Sequence, residues 1–267
     1  MPALENVFAD LAAEAEEVDR LVARLEASQW SLATPARGWT IADQVAHLAF
    51  IFRLAGLAAA DPETFGVLAA AAANDFNGAV NAALQDYRGD SPAVLLSKWR
   101  AERDACVAAL AALPPGQVVP WLVNPLPATI LACAGIMELF GHGQDIADTL
   151  GVHREPTDRL GHLVGFAVLT RDFGYQARGL TPPETQFRFE ITAPSGELWA
   201  FGPEDATERV TGPAADFCLL VTRRRHPADL AVVASGPAAE HWLGIAQAYR
   251  GPAGAGRVPG QFAQARV

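Results

Sequence analysis

The chain has 267 residues, of which 51% are hydrophobic and 19% charged, and its formal net charge is −10. This length suffices for one large domain or two smaller ones with a substantial core. The acidic balance argues against a nucleic-acid partner and against an anionic membrane surface, because both require a basic footprint. No apolar run reaches about 18 residues, so we expect no membrane span. The N-terminus lacks the pattern of a signal peptide, which favours a cytoplasmic location.

Apolar residues at three- and four-residue steps predict a helical N-terminal half. Residues 3–29 read as a first helix. Thr40 is an N-cap with Asp43 three residues later, a capping-box variant that opens a helix to about Ala60. Prolines at a first helical position predict one helix from Pro62 and another from Pro92 to Leu113. An alanine-rich stretch predicts a helix over 66–87. Gly151 is the predicted C-cap of a helix that ends at Leu150.

The pattern changes in the C-terminal half. Thr157 is the predicted cap of a helix to about Arg178, and alternating apolar residues then indicate strands. Short helices are predicted up to Arg223 and from Gly236 to Tyr249. The predicted strands are 186–191, 197–201, 206–211 and 230–234. The fold class is therefore α+β: a helical bundle over 1–155, a linking helix over 156–180, a small α+β domain over 181–250 and a mobile tail over 251–267.

The candidate site is centred on Glu138 and His142, within an apolar helix. Their four-residue spacing places both side chains on one helical face. A third ligand from another helix, for which His47 is the candidate, would complete a two-histidine, one-carboxylate metal site with open coordination positions. The alternative is a direct Glu–His hydrogen bond in the core, because a buried carboxylate needs a partner of some kind.

Other residues near this motif have two readings each. Asp145 could orient a ligand imidazole or could face solvent. Gln44 could line a pocket or could lie on the helix surface.

The basic cluster of Arg223, Arg224 and Arg225 could be a solubilising run at a helix end, or one of its members could bind a carboxylate of a substrate or thiol cofactor. Cys106, Cys133 and Cys218 lack metal-ligand spacing and indicate reduced core thiols.

Two motifs together resemble a known family. The sequence G-W-T-I-A-D-Q-V-A-H-L at 38–48 and M-E-L-F-G-H-G-Q-D-I-A-D at 137–148 are similar to the DinB-like metal-binding superfamily. The closer similarity is to the branch containing mycothiol-dependent maleylpyruvate isomerase. The resemblance implies a DinB-like four-helix bundle followed by a sterol-carrier-like α+β domain. It also implies that His47, Glu138 and His142 bind a divalent metal, usually zinc, that mycothiol is a co-substrate, and that the chain can form a homodimer.

Three functions remain open from the sequence. In the first, the metal activates a low-molecular-weight thiol, and the thiolate adds to a small electrophilic substrate for cis–trans isomerisation or S-transfer. In the second, a metal-bound water makes the protein a hydrolase, with Asp145 as the candidate base. In the third, the protein is a non-catalytic, metal-stabilised bundle that binds an apolar ligand.

Overall fold

The chain folds into a helical unit followed by a mixed helix–strand unit, as seen in a computed structural model that describes residues 6–72, 76–114, 116–122 and 124–262. The described part of the first unit lies within residues 6–153, and that of the second within 154–262. Helices and strands are thus largely segregated along the chain, which confirms the α+β class.

The helical unit is built on four long helices. Helix α2 packs against α5 and α6, and α1 packs against α6 and α5, so these four form the predicted bundle. The helices of the unit are α1 Val7–Val22, α2 Ile41–Ala60, α3 Pro62–Ala72, α4 Phe76–Arg88, α5 Pro92–Ala111 and α6 Ala128–Leu150. A short antiparallel hairpin, β1 Val118–Val119 with β2 Leu126–Pro127, precedes α6.

A capping box fixes the start of α2, as the sequence predicted. The Thr40 hydroxyl accepts a hydrogen bond from the Asp43 backbone N–H, and the Asp43 carboxylate accepts one from the Thr40 N–H at 2.9 Å. Each bond satisfies a backbone or side-chain group at the helix end. The Asp43 carboxylate also accepts a hydrogen bond from Arg88 at the end of α4, at 2.9 Å. The first turn of α2, which leads to Gln44 and His47, is therefore held in place from two sides.

Helix α2 is also long and apolar enough to cross a membrane by length and composition alone. In the structure, however, 67% of its apolar window is buried by the rest of the protein. The other bundle helices thus cover this surface, as is usual for the central helix of a packed bundle.

Helix α6 carries the other half of the candidate site. It ends at Gly151, whose φ of 66° is the left-handed conformation expected of a C-cap glycine. Near its middle, a Cβ at Gly135 would lie 3.0 Å from a methyl carbon of Leu11 in α1. The missing side chain therefore lets α1 and α6 approach closely along this stretch.

Two predicted helices differ strongly from the observed ones, and the last predicted helix ends at Ile245 instead of about Tyr249. The first ends at Val22 instead of 29, because Glu26 and Gln29 form a separate capping box around a 3₁₀ turn over Ala27–Ser31. The predicted helix over 157–178 is divided into α7 Leu160–Leu169 and α8 Phe173–Gln176. The break follows Thr170, whose N–H and hydroxyl both donate to the Phe166 carbonyl. The next N–H, of Arg171, donates to the Val168 carbonyl three residues back and so leaves the four-residue pattern of the α-helix.

The second unit contains a four-stranded sheet in the order β4-β3-β5-β6. Strand β3 pairs antiparallel with β4 and parallel with β5, and β5 pairs antiparallel with β6. The strands are β3 Phe187–Thr192, β4 Leu198–Phe201, β5 Glu208–Pro213 and β6 Val233–Ser235, and the remaining helices are α9 Ala214–Val221 and α10 Pro237–Ile245. Rings of Phe189, Phe217 and Trp242 meet in its core, with centroids 5.4 to 6.1 Å apart.

The described part of the tail, residues 251–262, contacts this second unit. The Gly260 N–H donates to the Asp229 carboxylate at 2.9 Å, and the Arg225 guanidinium lies 3.9 Å from the centroid of the Phe262 ring. Composition alone predicted a mobile tail, and it does not reveal these contacts. Mobility of the tail stays a prediction. Residues 263–267 lie outside the described part of the chain.

Candidate metal centre

His47 on α2 meets Glu138 and His142 on α6. The Nε2 atom of His47 lies 3.3 Å from Oε2 of Glu138, and Nε2 of His142 lies 3.1 Å from the same oxygen. One ligand atom from each residue lies within 4.8 Å of the other two. The structure therefore brings together the three residues that the sequence motifs singled out, although 91 positions separate His47 from Glu138.

The spacing and chemistry of these atoms fit a divalent ion. Ligands about 2.05 Å from a tetrahedral zinc ion lie about 3.3 Å from one another, which matches the observed nitrogen–oxygen separations. Two imidazoles with one carboxylate are a donor set that zinc accepts, and the set leaves coordination positions open. All three side chains are only partly buried, with exposed fractions of 12% for His47, 22% for Glu138 and 14% for His142. Small molecules can therefore reach the cluster.

The imidazoles keep the carboxylate in its charged form. Burial alone would raise the pKa of Glu138, but the hydrogen bonds and charge of His142 and His47 outweigh burial and hold that pKa well below its usual range. Glu138 is therefore ionised at neutral pH, as a metal ligand has to be.

Gln44 completes the surroundings of His142, and the sequence did not identify this role. Its side chain is fully buried, so the surface interpretation is wrong. Its Oε1 atom contacts Nδ1 of His142, and its Nε2 atom donates to the hydroxyl of Thr34 at 2.8 Å. A signal was present in the spacing, because Gln44 precedes His47 by three residues and so shares its helical face.

Trp39 forms one wall of the cluster. Its ring lies edge-on to His47 with centroids 5.3 Å apart, and it stacks on His142 at 5.7 Å with an interplanar angle of 19°. The aromatic surface restricts both imidazoles and keeps water from one side of the site.

The other predicted site residues lie on α6 and in the second unit. Asp145 is on α6 and completely buried, so the solvent-facing interpretation is wrong, whereas its role in orienting a ligand stays a prediction. Arg223, Arg224 and Arg225 follow α9 in the second unit. Arg223 has a φ of 59°, and Arg224 donates to the Thr222 carbonyl at 2.6 Å. The proposed carboxylate contact of these arginines also stays a prediction.

Two solved structures are similar to the chain in fold. A crystal structure of a mutant of the mycothiol-dependent maleylpyruvate isomerase aligns with a TM-score of 0.56 and 15% identity, over 87% of this chain and 93% of that one. A second crystal structure of this isomerase aligns with a TM-score of 0.53 and 15% identity, over 82% and 88%. At this identity the likeness shows a shared fold.

The curated relatives are more similar in sequence. Rv0036c and MT0041, uncharacterized proteins from two strains of Mycobacterium tuberculosis, are each 45% identical over 93% of this chain and 97% of their own length. A family model described as Wyosine base formation matches residues 183–235, in the second unit. The model described as Mycothiol maleylpyruvate isomerase N-terminal domain matches residues 11–147, which contain all three ligand candidates. The chain therefore belongs to the mycothiol maleylpyruvate isomerase N-terminal domain family, a branch of the DinB-like superfamily.

Proposed function

We propose that this protein is a divalent-metal-dependent enzyme that uses a low-molecular-weight thiol of the mycothiol type. The thiol would add to a small electrophilic substrate, either to isomerise it or to remain attached to it through sulfur (S-transfer). The observation that carries the proposal is the convergence of His47, Glu138 and His142. The Nε2 atoms of His142 and His47 lie 3.1 and 3.3 Å from Oε2 of Glu138, respectively. The family and the isomerase structures that share the fold supply the choice of thiol and reaction class.

The three side chains would hold the metal, with zinc as the preferred ion for this donor set. The bound metal would supply Lewis acidity, which favours the thiolate form of a thiol at neutral pH. Trp39 would exclude water from one side of the site and limit the directions from which a substrate can approach.

The chain's own cysteines support the need for an external thiol. All three are buried thiols outside disulfides, and burial raises the pKa of Cys106 and Cys133 to about 12. A thiol with such a pKa is protonated at neutral pH and is a poor nucleophile. The nucleophile would therefore come from solution, and cysteines outside disulfides are compatible with the cytoplasmic location that we propose.

Recognition of an anionic substrate is the second part of the proposal. One of Arg223, Arg224 and Arg225 would bind a substrate carboxylate, since a guanidinium offers paired donors to that group. A homodimer, which the resemblance implies, remains a prediction.

The test is an assay of the purified full chain with zinc, mycothiol and maleylpyruvate, following cis–trans conversion by proton NMR. We expect turnover by the wild type and by the control variant His153→Ala, and at least a 100-fold loss in His47→Ala and His142→Ala. Elemental analysis of each variant shows whether the loss follows metal content.

Three results would reject the proposal. Equal activity of His47→Ala, His142→Ala and the wild type would remove the metal from the reaction. Hydrolysis of test esters or amides without added thiol would replace the isomerase with a hydrolase, and bound zinc with no response to thiols or electrophiles would indicate a binding protein.

A further inference from the structure

We propose that Gln44, held by Thr34, is a positioning residue that keeps a proton on Nδ1 of His142. Nε2 of His142, which lies 3.1 Å from Oε2 of Glu138, is then the ring nitrogen that remains to bind an ion. This inference rests on the proposed metal site and adds a residue pair that prepares it.

A backbone carbonyl determines which atoms donate and which accept in the hydrogen bonds between Thr34 and Gln44. The Thr34 hydroxyl is 2.9 Å from the Trp39 carbonyl oxygen and 3.5 Å from that of Ala36. Carbonyl oxygens only accept hydrogen bonds, so the single hydroxyl proton of Thr34 is directed to one of them. The Thr34 oxygen must therefore act as the acceptor toward Gln44, at 2.8 Å from Nε2.

This requirement decides how the Gln44 amide is oriented. Its NH₂ group faces Thr34, so its carbonyl oxygen faces Nδ1 of His142. An amide oxygen can only accept, and Nδ1 must consequently carry a proton. In the opposite amide orientation the Thr34 hydroxyl would donate to the amide oxygen instead of the Trp39 carbonyl, which leaves this group of side chains with one hydrogen bond fewer.

The assignment has a consequence on the other side of the ring. With Nδ1 held by Gln44, Nε2 is the ring nitrogen that faces Glu138, 3.1 Å from one of its carboxylate oxygens. In the metal-free protein a proton can occupy the space between these two atoms, and a bound metal ion would replace it. Gln44 therefore prepares His142 for a metal in the way that outer partners of metal-bound histidines commonly do.

His47 provides a contrast within the same cluster. Its Nδ1 atom is buried and has no hydrogen-bond partner among the residues that the structure describes. The ring of His47 is restrained by packing against Trp39. The two histidines thus differ in how they are prepared, and a change at Gln44 should alter one ring and leave the other as it is.

The first experiment locates the protons on His142 in metal-free protein. Ring nitrogen shifts of ¹⁵N-histidine-labelled full-length protein show whether Nδ1 of His142 carries a proton. We expect Nδ1 to be protonated in the wild type and to lose part of this protonation in Gln44→Leu and Thr34→Val. An unprotonated Nδ1 at His142 in the wild type would overturn the proposal.

The second experiment measures zinc affinity by competition with a chromogenic chelator. We expect affinity to fall about 10- to 100-fold in Gln44→Leu, the range found when outer partners of metal-bound histidines are removed. Gln44→Glu keeps an acceptor toward Nδ1 and should retain affinity within a few-fold. The control Gln144→Leu removes an amide from α6 that bonds to Asp148 and should leave affinity unchanged.

Circular dichroism identifies any variant that fails to fold, and Thr34→Val then provides an independent test of the same chain. Unchanged zinc affinity in folded Gln44→Leu would overturn the inference. Failure of the isomerase assay with the expected Nδ1 protonation and affinities would reject the proposed reaction alone, so the two proposals can fail separately.

Discussion

The carboxylate of Asp43 joins the start of α2 to the end of α4, and replacing it with alanine tests whether this junction supports the site. One carboxylate oxygen accepts hydrogen bonds from the N–H and hydroxyl of Thr40, at 2.9 and 2.8 Å, and the other accepts from Arg88. The Asp43→Ala variant removes these bonds but keeps the hydrogen bond from the residue 43 N–H to the Thr40 hydroxyl.

The expected loss follows from these contacts. Removing a capping interaction costs about 1 kcal/mol of unfolding free energy. The ion pair with Arg88 adds at most about 1 kcal/mol, because the guanidinium is 38% exposed and solvent screens the pair. The full effect is therefore about 1–2 kcal/mol, together with faster hydrogen exchange in the first turns of α2.

The loss should also depend on pH. Burial opposes the charged form of Asp43, but hydrogen bonds from Thr40 and Arg88 outweigh burial and hold its pKa below the ordinary value. A lowered folded-state pKa stabilises the protein above the unfolded-state value of about 3.9, and this stability is lost as pH falls through the folded-state value. The difference between wild type and Asp43→Ala should thus be largest near neutral pH and decrease below about pH 4.

Urea unfolding of the full chain between pH 7 and pH 3, with hydrogen exchange of α2 peptides, measures both effects. The control is Asp86→Ala, which removes the same charge from an exposed position on α4. An equal loss in the control, or a wild-type-to-variant difference that stays constant on acidification, would refute the reasoning.

Two further predictions concern a glycine in the sheet and the tryptophan at the site. Gly202→Ala should destabilise the second unit by about 2–4 kcal/mol and expose β3 amides to hydrogen exchange, because its Cβ would lie 2.0 Å from the Phe187 carbonyl oxygen at a φ of +81°. Gly165→Ala, whose Cβ meets nothing closer than 3.9 Å, should leave the exchange unchanged, and equal effects would contradict the explanation. Cobalt should quench part of the tryptophan fluorescence through Trp39, which stacks on His142. Quenching that persists unchanged in Trp39→Phe would place the cobalt elsewhere.

Local signals made much of the helical unit predictable. The Thr40–Asp43 capping box and the C-cap at Gly151 are encoded by residues close to the helix ends that they form. The pair Glu138 and His142 follows from helical spacing alone. These features depend on short-range geometry, so the sequence predicts them without knowledge of the tertiary packing.

Features that depend on distant partners were missed. Helix α2 buries residues on nearly all sides, so its pattern does not reveal that Gln44 contacts a histidine 98 positions away. The break after Thr170 lies where the backbone hydrogen bonds change from a four-residue to a three-residue step, which periodicity does not predict. The contacts of the tail at Gly260 likewise depend on an acceptor 31 positions earlier in the chain.

The proposed ligands lie on two separate helices, His47 on α2 and Glu138 with His142 on α6. Binding of an ion would therefore depend on when these two helices pack together during folding. Bringing His47 to Glu138 closes a loop of 91 residues, which costs about 4 kcal/mol of chain entropy by the loop-length relation. A peptide containing α6 alone would offer two donors and would hold an ion weakly, whereas the assembled bundle offers three. The ion would therefore bind the native state in strong preference to partly folded forms, and its supply in the cell would regulate how much of the protein survives proteolysis.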